Sequence, residues 1–118
     1  MSLVNPPSRQ SLALGATFVL GLAILWFTLT PQSMPDTRVV PVDKLAHLAA
    51  FAVLILPTAW GYPQALAVTL PLALVFGGAI ELLQPLVGRG REMADFLMNV
   101  LGLGLGLVLG TVLRVRSA

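Results

Sequence analysis

Nine residues hold most of this chain's capacity for chemistry: Asp43, Lys44, His47, Glu81, Gln84, Arg89, Arg91, Asp95 and Asn99. They fall in three short stretches, "DKLAH" at 43–47, "ELLQ" at 81–84 and "GRGREMADFLMN" at 88–99. His47 is the only histidine and Lys44 the only lysine. His47 follows Asp43 by four residues, a spacing that puts both on one helical face. A carboxylate beside an imidazole can orient a general base or support a ligand. Glu81 is the alternative base, so the catalytic candidates are His47, Glu81 and Asp43. Lys44 and Arg91 are suited to anionic or carbonyl groups. Asp43, Glu81 and Asp95 would hold those cations in place, while Gln84 and Asn99 would add neutral hydrogen bonds.

Other chemistries are weakened or excluded by what is missing. There is no cysteine, hence no thiolate ligand or cysteine nucleophile. One histidine and no cysteine weigh against a metal centre on His47, Glu81 and Asp95, and no metal or cofactor is expected. No phosphate-binding loop is present, nor a serine at motif spacing from a base. Seven basic and five acidic residues in 118 are too sparse for a nucleic-acid footprint.

The elements that must position these residues are apolar. Hydrophobic residues make up 57% of the chain and charged ones 10%, with a mean hydropathy of +0.90. A soluble domain carries about 25% charged residues. Four apolar runs each match the roughly 17–25 residues that cross a bilayer as a helix. The spacing predicts helices over 11–30, 44–62, 64–84 and 95–113, a single domain over 1–118, and an all-α membrane protein whose four transmembrane helices form an antiparallel bundle. A barrel would need alternating strands, which these Leu- and Ala-rich runs do not show. The first run follows Arg9 but is longer than a signal-peptide core and lacks a small-x-small cleavage site, so it reads as a retained helix ending at Pro31. "PQSMPDTRVVPV" and "PLVGRGRE" read as extramembrane loops, and "GYP" as a tight helical hairpin.

Four crossings return both termini to one side and put the two polar loops on the other. All nine chemical residues then share that loop side. Asp43 and Asp95 also suit helix starts, where the macrodipole favours negative charge. Glu81 lies within an apolar run, where a charge costs about 2–3 kcal/mol on insertion scales. It therefore needs a partner, and so does Asn99. Basic residues number three on the terminal side (Arg9, Arg114, Arg116) and four on the loop side (Arg38, Lys44, Arg89, Arg91). If Lys44, Arg89 and Arg91 belong to a site, the positive-inside rule puts the termini in the cytoplasm. Gly102, Gly106 and Gly110 recur every fourth residue, a stripe for close helix contact. With Gly77 and Gly78, the stripe is expected to pack the fourth helix against the third. A homo-oligomer seam is the alternative.

The strings "DKLAHLAAF", "ELLQ" and "GRGREMADFLMNVLG" resemble the VanZ-like family of small bacterial membrane proteins. That family carries a D-K-x-x-H-x-x-x-F element, then E-x-x-Q, an arginine, and D-x-x-x-N-x-x-G. The matching positions are Asp43, Lys44, His47 and Phe51, then Glu81 and Gln84, then Arg91 (or Arg89), then Asp95, Asn99 and Gly102. "WFTLTPQ" at 26–32 resembles the end of the family's first helix. The resemblance implies a multi-pass protein of the bacterial inner membrane and the cell envelope. One member is associated with resistance to teicoplanin, a lipid-bearing glycopeptide. The resemblance supplies no catalytic residue. Three readings stay open: a polar pocket binding a lipid-linked or glycopeptide ligand, an enzyme acting on a lipid-linked precursor, and a self-satisfied structural network.

Overall fold

The computed structural model describes residues 8–30, 42–87 and 93–117, with backbone alone at 42, 43 and 87. Within them the fold is all-helical: α1 (Arg9–Leu29), α2 (Val42–Gly61), α3 (Leu66–Leu83) and α4 (Met93–Ser117), with 3-10 turns at Pro63–Ala65 and Gln84–Val87. All four helices are long and apolar enough to cross a membrane.

Local chemistry sets the helix ends. Ser8 is extended, and its hydroxyl accepts the Ser11 backbone N–H at 3.0 Å, as an N-cap does. Thr30 leaves the helical region (φ −79°, ψ 125°) because Pro31 follows it. The hairpin between α2 and α3 turns at Tyr62, and Pro63 opens the 3-10 turn, where its missing N–H costs nothing. α4 is longer than its apolar run and continues to Ser117. Arg114 and Arg116 sit in its last turn, where the macrodipole favours cations. The Gln84 N–H continues the α-helical ladder to the Ile80 carbonyl, and a 3-10 turn rather than an open loop follows Leu83.

The helices alternate in direction, and α2 is the central one. It packs most closely on α4, then on α1, while α3 touches its neighbours more lightly. Phe51, Leu54, Ile55, Ile80 and Leu103 form the core. Phe51 and Phe76 meet with ring centroids 6.1 Å apart, within the usual range for an aromatic pair. The outer faces are as oily as the interior: Phe18, Trp26, Phe27, Val68, Leu72 and Val75 are all exposed. Such a surface is adverse in water and suited to lipid.

Lipid tails are as apolar as leucine, so close contact and hydrogen bonds must hold the helices together. The glycine stripe supplies the close contact, but to α2 rather than α3. A Cβ added to Gly102 would strike the Leu48 carbonyl, and one on Gly106 the Ala52 carbonyl. One on Gly110 would lie 2.5 Å from Ala59 Cβ. The expected α3–α4 seam is therefore corrected: the stripe is already filled by α2 of the same chain. Gly77 and Gly78 do serve α3, facing Asn99 and Phe96 of α4. Hydrogen bonds join α1 to α2. Thr17 Oγ1 donates to the Leu54 carbonyl at 3.0 Å and lies 2.8 Å from the buried Thr58 hydroxyl.

Candidate functional site

The loop-side ends of α2, α3 and α4 bring together most of the residues singled out by sequence. Lys44 and His47 come from the first turns of α2, Glu81 and Gln84 from the end of α3, and Asp95 and Asn99 from the start of α4. His47 is 4% exposed, Glu81 5%, Gln84 1%, Asp95 3% and Asn99 1%. Polar groups this buried need partners, because low dielectric makes an unmade hydrogen bond costly.

His47 is the hub. Its Nδ1 lies 2.8 Å from Asn99 Oδ1. An amide oxygen only accepts, so in this arrangement Nδ1 carries the proton. The same nitrogen is 3.9 Å from Glu81 Oε1, and Nε2 is 3.9 Å from Asp95 Oδ2. The ring thus stands between carboxylates from two other helices. Asp95 also faces Lys44, with Nζ 3.7 Å from Oδ1. Lys44 is the more exposed partner of the two. Phe51 and Ile80, both fully buried, lie beneath this layer. Gly77 makes room for the Asn99 amide, since a Cβ there would sit 3.1 Å from Nδ2.

Gln84 does something sequence did not suggest. Its Nε2 donates to the Thr28 carbonyl of α1 at 3.2 Å. The last four carbonyls of a helix lack intrahelical partners, and Thr28 is one of them. Gln84 therefore ties the end of α1, a helix that supplies none of the nine residues singled out by sequence, to the site. The signal available was the E-x-x-Q spacing beside a helix that ends one residue past Thr28. Gln84 Oε1 and Asn99 Nδ2 are buried without a hydrogen-bond partner among the described residues.

Three sequence-predicted positions need separate mention. Arg89 and Arg91 lie outside the described residues. Asp43 lies on α2, but its side chain is outside them too, so the Asp43–His47 pairing stands as an expectation. Among the described residues, the carboxylates seen at His47 are Glu81 and Asp95. One nitrogen of His47 and one oxygen each of Glu81 and Asp95 lie within 4.8 Å of one another. A donor set of imidazole and two carboxylates is chemically able to hold a divalent metal. The arrangement also allows proton transfer at a histidine oriented by Asn99, and recognition of a polar group by Lys44 and the two amides. Compared with known protein families, curated proteins and solved structures, the chain matches none.

Proposed function

We propose that this chain is a VanZ-like, multi-pass protein of the bacterial inner membrane, with cytoplasmic termini, that binds an amphiphilic envelope molecule through the polar layer at its loop side. The ligand class is a lipid-linked envelope component or a lipid-bearing glycopeptide. One observation carries the reading: Gln84 Oε1 and Asn99 Nδ2 remain buried without a partner among the described residues, inside a layer that three helices build from charged and amide groups. A merely structural network tends to satisfy its members, whereas a binding site holds capacity in reserve. Lys44 would meet an anionic or carbonyl group, and the amides would fix orientation. For the tail, a groove of about 390 Å³ lies between α1, α2 and α3, lined by Phe18, Leu22, Leu25, Leu54, Leu72 and Phe76.

Native mass spectrometry of the protein purified from its membrane tests this. Wild type should retain an amphiphile that Asn99→Leu and Glu81→Gln lose while helical content is unchanged. Identical lipid profiles in all three would refute the proposal.

A second reading has its own support. The His47 Nδ1 contact with Asn99 directs Nε2 toward Asp95, an orientation suited to a general base acting on a hydroxyl or water. Turnover of a lipid-linked precursor by wild type, abolished in His47→Gln, would establish an enzyme and displace the binding-only reading.

A further inference from the structure

The opposite end of the bundle holds a second polar feature. The start of α1, the end of α2, the hairpin turn and the last turns of α4 enclose a cleft of about 520 Å³. Two arginines line it, Arg9 and Arg114, together with Trp60, Gln64 and Ser117. Arg9 Nη2 donates to the Trp60 carbonyl at 3.3 Å, covering an open carbonyl at the end of α2. That contact uses one donor of five and holds the guanidinium at the cleft wall. Arg114 Nε is buried and has no hydrogen-bond partner among the described residues. Among the described residues, no carboxylate side chain lines this cleft. The described carboxylates, Glu81 and Asp95, sit at the other end of the bundle, beside His47.

The cleft also continues into an oily groove. A neighbouring cavity of about 350 Å³ shares Arg9, Trp60, Gly61 and Ser117 with it and adds Leu12, Ala13 and Pro57. The combined shape is cationic at the membrane surface and apolar below, with a half-exposed tryptophan at the boundary, where such rings settle. We propose that this cleft binds the phosphate of an anionic phospholipid between Arg9 and Arg114, with an acyl chain lying along Leu12 and Pro57. The guanidinium fork suits a phosphate diester. Free inorganic phosphate would use the same two arginines but leave the apolar groove without a role. The proposal needs only that the chain spans a membrane, and it is independent of the loop-side site.

Trp60 provides the readout. The Trp26→Phe variant, reconstituted in phosphatidylcholine vesicles, keeps Trp60 as its sole tryptophan, excited selectively over Tyr62 at the red edge of its absorption. Brominated phosphatidylglycerol mixed in at a low fraction should quench Trp60 well beyond the same fraction of brominated phosphatidylcholine. Arg9→Gln and Arg114→Gln should each lower that preference about fivefold. Added inorganic phosphate should not reduce it. Equal quenching by the two brominated lipids overturns the proposal without any arginine variant. So does a preference that survives both exchanges, or one that inorganic phosphate removes.

Discussion

His47 Nδ1 and Asn99 Oδ1 meet at 2.8 Å across the α2–α4 seam, where both side chains are almost completely buried. The contact aligns the two polar ends of the helices that pack most closely. It also fixes which ring nitrogen faces Asp95. Asn99→Leu leaves the Nδ1–H without its acceptor and should cost about 1–3 kcal/mol. His47→Leu should cost a similar amount. Because they remove one shared interaction, the double variant should be less destabilised than the sum of the singles. Unfolding in mixed micelles by increasing denaturing detergent measures all three. Strict additivity would show that the contact carries no coupling.

The glycine stripe makes a contrast within one helix. A Cβ at Gly106 would strike the Ala52 carbonyl, whereas one at Gly104 meets nothing within 4 Å. Gly106→Ala should therefore separate α2 from α4 and destabilise by about 1–3 kcal/mol. Gly104→Ala should be neutral or stabilising by about 0.5–1 kcal/mol, since alanine loses less backbone freedom in a helix. The same unfolding assay compares them. Equal effects would mean that the stripe does not set the helix approach.

Gln84 predicts a local rather than a global effect. Replacing it by leucine removes the donor to the Thr28 carbonyl and should cost about 1 kcal/mol. Hydrogen exchange should rise in the last turn of α1, around 26–29, and leave the α2–α4 seam unchanged. Uniformly faster exchange would assign Gln84 to the core of the bundle instead.

The proposed orientation depends on which cations are free to act as topology signals. Lys44 faces the buried Asp95 at 3.7 Å, so it is engaged within the protein. Setting Lys44 aside leaves Arg9, Arg114 and Arg116 against Arg38, Arg89 and Arg91, so the proposed orientation also rests on Arg89 and Arg91 belonging to the site. A reporter active only outside the cytoplasm should be silent at the C-terminus and active within 31–41. The reverse pattern would invert the proposed orientation and place the loop-side cluster at the cytoplasmic face.

The amino-acid sequence alone determined four helices, their approximate limits and the gathering of polar groups at one end. These depend on per-residue transfer into lipid, on capping residues such as Ser8, and on the parity of membrane crossings. Lys44, His47, Glu81, Gln84, Asp95 and Asn99 could be assigned to one layer on that basis. The tertiary structure decided who meets whom. Gly102, Gly106 and Gly110 face α2, not α3. Carboxylates from α3 and α4 approach His47, and Gln84 turns to α1. Pairing depends on the rotation of each helix about its own axis and on how closely backbones approach. Helices that are apolar on nearly every side do not encode that rotation in their hydropathy, because the bilayer rewards every face alike. It is set by where small residues admit a neighbouring carbonyl and where buried polar groups find a partner, and both conditions exist only once all four helices are in place.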